Sequence, residues 1–298
     1  MTKFKNILLT GINGQVGYEL QLGLASLGKV HALDRSQLNL SNPDNIRQVV
    51  QSIKPDLIVN PAAYTAVDKA EVEPDQANAI NAIAPQILAE EAAKLGAAMV
   101  HYSTDYVYDG TKLAPYVETD ATNPLSVYGI TKLAGEEAIR ATGVSHLILR
   151  TSWVYGARGK NFMNTILRLA AERDNLRIVA DQFGAPTSSR VIAAATVSAL
   201  ANWSEDKSGT YHLTCSGMTS WHGFTQAIIE EYELLCESRH WPALKTPVGN
   251  VLPITTADYP TPAVRPANSK LNCDKLSGTF GLVLPEWRIA LKQVMVEL

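Results

Sequence analysis

Tyr128 and Lys132 stand four residues apart in Tyr128-Gly-Ile-Thr-Lys132, a spacing that stacks both side chains on one face of a helix. A free phenol, which ionises near pH ~10, is a poor proton donor or acceptor at neutral pH, and an ammonium held beside it lowers that value. The pair therefore suits proton transfer to or from a carbonyl or hydroxyl oxygen. A third group, the hydroxyl of Thr104 in Ser103-Thr-Asp-Tyr-Val-Tyr108, closes a predicted strand. It falls on the carboxyl edge, where open α/β sheets take their ligands, and is placed to share a substrate oxygen with Tyr128.

Reduction of a carbonyl would need a hydride donor beside such a proton donor, and the chain offers a place for one. Gly11-Ile-Asn-Gly14-Gln15-Val16-Gly17 lies between the first predicted strand and the first predicted helix. Glycines there permit a tight turn, let a pyrophosphate reach the backbone, and bring helix close to strand, while the helix N-terminus faces the anion. Asp34, at the end of the second strand, is placed to bind the adenosine ribose hydroxyls, and its neighbour Arg35 to attract a 2′-phosphate. NADH and NADPH both stay open. The small residues of Asn60-Pro-Ala-Ala63-Tyr64-Thr65 end the third strand where ribose and phosphates would lie against the backbone.

The elements that must position these groups alternate in type. Strands are predicted at 6–10, 30–33, 56–60, 98–103 and 145–150, with helices at 15–27, 43–53, 77–95 and 125–141 between or after them. Short apolar runs alternating with helical segments imply βαβ units and a parallel sheet. The expected architecture is a Rossmann-type doubly wound parallel sheet over residues 1–155. A smaller, mainly substrate-binding C-terminal domain is expected over 156–298, with segments around 176–220 returning to the sheet. The second half is expected to hold helices at 161–173, 191–201 and 222–236, an isolated strand at 209–214, and a long proline-bearing stretch from Pro242 to Pro266. Loops of that length are seldom idle in a compact fold.

Composition bounds the partners. The 298 residues carry a formal net charge of −3 and no like-charge block, which argues against a nucleic-acid or anionic-lipid surface. No apolar run approaches the ~18 residues of a membrane span, and Met1 to Asn6 leads at once into a strand rather than a signal peptide, so the expected location is the cytoplasm. Cys215, Cys236 and Cys273 are odd in number and widely spaced, which suits reduced packing residues better than a disulfide framework or metal site.

The glycine spacing GxxGxxG and the order Thr104, Tyr128, Lys132 resemble the extended short-chain dehydrogenase/reductases, where the lysine also binds the nicotinamide ribose. The stretches Ala62–Glu71, His101–Asp109, Arg150–Tyr155, Asp181–Thr187 and Tyr259–Asn272 narrow this to a resemblance to the dTDP-4-dehydrorhamnose reductase family, from Ile7 to Trp287. That resemblance implies NAD(P)H-dependent reduction of the C4 ketone of dTDP-4-dehydro-L-rhamnose to dTDP-L-rhamnose, the last step in making this sugar donor for bacterial surface polysaccharides. It places Tyr102, Thr104, Asp105 and Trp153 in contact with cofactor or sugar; Tyr106 is expected beside them at the substrate, and Arg265, in the proline-bearing loop, is expected either to bind a substrate phosphate or to order the loop. Related dehydratases carry Asp-Glu after the catalytic threonine, whereas here Asp105 is followed by Tyr106, so reduction is favoured over elimination. Lys160, Asn161 and Asn164 open a helix and mark a further anion position.

Some reductases of the family are dimers bridged by Mg²⁺ on glutamates. Glu19 matches one ligand, but Arg190 and Arg288 stand where others would be expected, and arginine cannot ligate magnesium. This argues against a required metal and for a monomer or weak homodimer. Two alternatives share the scaffold. One is a non-catalytic NAD(P)-binding regulatory subunit, to which the intact Thr104, Tyr128 and Lys132 are unfavourable; the other is a nucleotide-sugar epimerase.

Overall fold

The computed structural model describes residues 3–298. Six strands form one parallel sheet: β1 (Asn6–Leu9), β2 (Lys29–Ala32), β3 (Leu57–Asn60), β4 (Ala98–Thr104), β5 (His146–Thr151) and β6 (Gly209–His212), in the order β6-β5-β4-β3-β1-β2. The central strands β1 and β3 and the middle of β5 are apolar on both faces because helices cover both. Ile7, Leu9, Leu57, Val59, Leu147 and Leu149 point to one side, against Leu20 and Leu24 of helix Gln15–Leu24 and Ile192 and Leu200 of helix Ser189–Ala201. The alternate residues Leu8, Ile58, Met99 and Ile148 face Ile46 and Val50 of Pro43–Ile53, Leu88 of Ala84–Leu95 and Ile139 of Val127–Ala141. This is a Rossmann-type doubly wound fold. From β1 the chain turns to β2 on one side and then to β3 on the other, so the crevice between the carboxyl ends of β1 and β3 is the topological switch point, where such sheets bind ligands.

A separate core lies in the second half. Met163 and Ile166 of helix Phe162–Glu172, Phe224 and Ile228 of helix Trp221–Arg239, and Trp287 and Leu291 of helix Trp287–Met295 pack together. Within 176–220, Gly209–His212 enters the main sheet beside β5, whereas Leu176–Val179 pairs in parallel with Val251–Ile254 away from it. The latter pair puts a strand inside the proline-bearing stretch.

The long helix expected at 77–95 differs in detail. It runs as Pro74–Asn78, a π-helical turn at Ala79–Ile83, and Ala84–Leu95. Pro85 has no N–H to return to the carbonyl of Asn81, and that carbonyl instead faces Gly135, where a Cβ would lie 2.1 Å from it. The first helix ends at Leu24 rather than Leu27. Among the described residues no helix is long and apolar enough to cross a membrane, and the three cysteines are free.

Candidate active site

A cleft of about 820 Å³ opens at the switch point. Its floor is the glycine turn. Gly11 holds φ +61°, a conformation that favours glycine, and a Cβ on Gly17 would sit 2.2 Å from the Gly11 carbonyl oxygen. Helix Gln15–Leu24 can therefore start directly against the turn. Its N-cap is Gly14, with no side-chain cap and no acidic residue in the first turn. The first N–H groups of the helix are thus left for a ligand, and the positive end of its dipole meets no competing carboxylate. Arg158 and Lys160 line the same end, with the Arg158 guanidinium 4.3 Å from the Tyr18 ring centroid.

The opposite wall carries the acid–base groups. Ser126 caps helix Val127–Ala141, and a Cβ on Gly129 would lie 2.3 Å from the Tyr106 carbonyl, so the helix presses onto the turn Asp105–Val107 that follows β4. Tyr128 thereby meets the Tyr106 ring edge-on at 5.5 Å and is buried beside Thr104. Thr104 Oγ1 accepts from the Tyr106 N–H at 3.2 Å and donates to Asp105 Oδ1 at 3.0 Å. Tyr102, Thr104, Asp105, Tyr106, Tyr128, Lys132 and Trp153 all line the cleft, with Gly11, Gly14, Gln15, Val16, Gly17, Ala63 and Thr65.

Electrostatics depart from the simple picture of a lysine-depressed phenol. Burial pushes Tyr128 above its ordinary value. The Lys132 ammonium is not spent on the phenol: Nζ donates to the Tyr102 carbonyl at 2.6 Å and lies 3.1 Å from His101 Nε2. Burial lowers Lys132 to about 8, with the Glu136 carboxylate working in the opposite direction. Asp105 is raised to about 6 by burial, against hydrogen bonds that favour its carboxylate, and its Oδ2 has no partner. Thr151 Oγ1 and Ser152 Oγ, at the carboxyl end of β5, are also buried without partners and line the cleft. Unpaired buried polar atoms are costly unless something polar meets them.

Several expected residues are occupied elsewhere. Tyr64 turns its hydroxyl to Glu73 at 2.6 Å, and its main chain is gripped by Asn81, whose Oδ1 accepts from the Tyr64 N–H at 2.8 Å. Asp34 Oδ1 accepts from the Ser36 N–H and hydroxyl, as a turn residue does, while Arg35 is exposed; neither lines the cleft. Arg265 also stays out of the lining. It donates to Asp68 at 2.6 Å and to the Tyr106 hydroxyl at 3.2 Å, so it fixes the loop and Tyr106 rather than presenting a free fork. The Tyr102 hydroxyl bonds Thr196 on the far face of the sheet, which leaves its carbonyl for Lys132. Trp153 adopts φ +50° and stacks on Trp221 with ring centroids 3.5 Å apart.

Asn161 and Asn164 hold the loop after Gly156. Asn161 Nδ2 donates to Gln15 Oε1 and the Gly156 carbonyl, and Asn164 Nδ2 to the Gly159 carbonyl, so of that trio only Lys160 faces the cleft. Sequence reasoning missed Arg158, Thr151, Ser152 and His101. The signal for the last three was a polar residue interrupting or ending an apolar strand.

Comparison with known proteins then decides the family. The family model described as the RmlD substrate binding domain matches residues 5–298. A dTDP-4-dehydrorhamnose reductase of Burkholderia thailandensis is 49% identical, covering 95% of this chain and 96% of the relative. The chain belongs to the dTDP-4-dehydrorhamnose reductase family. The relative of that name in Escherichia coli K12 is 46% identical with 98% of each chain covered. Among solved structures, a reductase of the family from Clostridium acetobutylicum superposes with TM-score 0.90 at 37% identity over 98% of this chain and 99% of that one. One from Bacillus anthracis, solved in complex with NADP, gives 0.89 at 33% over the whole of both.

The glycine floor, uncapped helix and flanking cations fit a dinucleotide diphosphate. A bridging metal fits less well. Glu19 is raised by burial and by Glu297, while Arg190, which pairs with Glu297, already supplies a positive charge beside both; Arg288 is paired with Glu230 and Glu231.

Proposed function

We propose that this protein reduces the C4 ketone of dTDP-4-dehydro-L-rhamnose to dTDP-L-rhamnose with NADPH or NADH, the final step of dTDP-rhamnose biosynthesis. The observation that carries the reading is the convergence of Thr104, Tyr128 and Lys132 on one wall of a cleft whose other end is the glycine turn. The bound nicotinamide supplies hydride. The chain's own groups handle the oxygen: Tyr128 donates to the carbonyl, Thr104 turns its one hydroxyl proton from Asp105 to the same oxygen, and the proton leaves the Tyr128 hydroxyl as negative charge develops. Burial, which raises the phenol, keeps that proton in place until the ketone demands it. Lys132, one helical turn away, then favours the phenolate and would hold the nicotinamide ribose. Asp105 Oδ2, Thr151 and Ser152 supply unpaired polar atoms for sugar hydroxyls. Trp153 covers an apolar sugar face. Tyr106 abuts the same space, with Arg265 acting on the substrate through it.

Tyr106 after Asp105 leaves no second carboxylate there to accept a proton in an elimination, which supports reduction over dehydration. We further propose a cytoplasmic monomer or weak homodimer that works without Mg²⁺. The test is the initial rate of NADPH and NADH oxidation with dTDP- and UDP-linked 4-keto sugars, with and without a chelator. Turnover with the dTDP sugar that survives chelation is expected. Tight cofactor binding without turnover would favour a regulatory subunit, and interconversion of sugar epimers without net change in nicotinamide absorbance an epimerase.

A further inference from the structure

Beneath the cleft three buried polar side chains that the chemistry above does not use run in a line to Lys132. Thr10 follows β1, Asn60 ends β3, His101 lies in β4 opposite Asn60, and Lys132 reaches in from its helix. None is more than 1% exposed. Thr10 Oγ1 donates to Asn60 Oδ1 at 2.6 Å; Asn60 Nδ2 and His101 Nδ1 are 3.2 Å apart; His101 Nε2 and Lys132 Nζ are 3.1 Å apart.

A neutral imidazole has one donor and one acceptor nitrogen. With Asn60 Nδ2 donating to Nδ1, the ring proton sits on Nε2 and faces Nζ, where only a neutral amine can accept it. An ammonium has nothing but donors, so it requires the reverse: Nε2 accepting, Nδ1–H donating to Asn60 Oδ1, and Asn60 Nδ2 donating to Thr10 Oγ1. A hydroxyl serves in either role, so Thr10 admits both directions, and in each of them Asn60, His101 and Nζ face partners of the matching kind.

We propose that His101 is a positioning residue for Lys132, and that Thr10, Asn60 and His101 form a hydrogen-bonded line with two self-consistent directions, one for each charge state of the lysine. In one direction the line fixes Nζ as an ammonium aimed at the cleft; in the other it accommodates the amine without an orphaned donor. The Tyr102 carbonyl accepts from Nζ in both. Of the other charged groups, Glu136 on its own helix acts on Lys132; Tyr128 stands one turn earlier on that helix, and uncharged Asn81 bonds the adjacent Thr131. The Glu136 carboxylate is engaged by Arg150 at 2.6 Å and Arg140 at 3.1 Å. Burial holds His101 well below its ordinary value, so the ring stays neutral while the lysine titrates.

The use of the line in catalysis rests on the reductase reading, but its existence is testable without turnover. In the cofactor-free protein, ¹⁵N NMR of the histidine rings and ¹³Cε NMR of lysine would be followed from pH 6 to 10. The His101 proton is expected to move from Nδ1 to Nε2 as Lys132 loses its charge. In Asn60→Asp, whose carboxylate can only accept, the ring is expected to stay Nδ1-protonated throughout and Lys132 to bind its proton about tenfold more tightly. The alkaline limb of kcat with NADPH and the dTDP-keto sugar should rise by about one pH unit in the same variant. A ring proton that stays on one nitrogen while Lys132 titrates would overturn the proposal, as would an unmoved Lys132 in Asn60→Asp. His101→Gln, which keeps an acceptor for Nζ, guards against misfolding of the acidic variant and should retain at least tenfold more kcat than His101→Leu; equal loss in both would also overturn it. Intact NMR behaviour without turnover would instead sink the reductase reading.

Discussion

Asp105→Asn tests whether the cleft is built at a cost to stability. The carboxyl is buried, 3% exposed, and its Oδ2 has no partner. Folding moves its ionisation from an ordinary 3.8 to about 6. At about 1.4 kcal/mol per tenfold change in proton affinity, the charged form costs about 3 kcal/mol. The sign follows from linkage. For a carboxyl raised on folding, the folded state binds protons more readily than the unfolded chain, so the penalty is absent below pH 3.8, grows between the two values, and is complete above about 6. Asn keeps an oxygen for the Thr104 hydroxyl while removing the charge.

Asp105→Asn should therefore be more stable than the parent at pH 7.5 by up to ~3 kcal/mol, or roughly 5 °C in Tm for a chain of this size. The difference should shrink to nearly nothing at pH 4. Cofactor-free protein, denatured thermally and in urea at both pH values, provides the measurement. An Asn variant that is less stable at pH 7.5, or a difference that ignores pH, would refute the argument. The same substitution should raise KM for the sugar nucleotide while leaving cofactor affinity nearly unchanged, because the orphaned oxygen then no longer serves a sugar hydroxyl as a carboxylate. Stability given up at a site in exchange for ligand binding is a familiar trade.

Two further outcomes are expected. Tyr128→Phe should cut kcat by about 10²–10⁴, the usual worth of a positioned general acid, with NADPH affinity by fluorescence titration little changed; activity within threefold of the parent would remove Tyr128 from its role. Gly17→Ala would place a Cβ 2.2 Å from the Gly11 carbonyl oxygen, a backbone atom that must shift, whereas at Gly14 the nearest contact is 3.2 Å. The first should cost ~1–3 kcal/mol in stability as overpacking does and lower cofactor affinity together with it. Gly14→Ala should lower affinity with stability retained, and calorimetry of both variants separates the two effects.

The sheet was legible because its central strands β1 and β3 are apolar on both faces. Runs such as Ile7-Leu8-Leu9 and Leu57-Ile58-Val59 have no polar alternation to hide, and the turn glycines and the helix that follows them carry their own signals. The π-turn at Ala79–Ile83 was not legible, since the alanine-rich stretch reads as unbroken helix and the break depends on the Asn81 carbonyl docking at Gly135. The consequence is local to the site: the turn aims Asn81 at Tyr64 and so holds the Ala62–Thr65 wall. Nor was the Leu176–Val179 and Val251–Ile254 pair, whose partners are distant in sequence and whose second strand contains Pro253, a residue that argues against a strand.

The acid–base trio was legible because it rests on local spacing and strand ends, whereas the charge balance around it is set by groups brought together from four separate elements. Nothing in Tyr128-Gly-Ile-Thr-Lys132 announces that Nζ meets the Tyr102 carbonyl and His101 before it meets the phenol. Yet the sequence does contain the hint. Asn60 ends the apolar run of β3 and His101 interrupts that of β4, each must find a buried partner, and parallel pairing of β3 with β4 sets them opposite one another. Pairing strands first, and then asking which buried polar side chains the register makes neighbours, would have reached Lys132 from beneath.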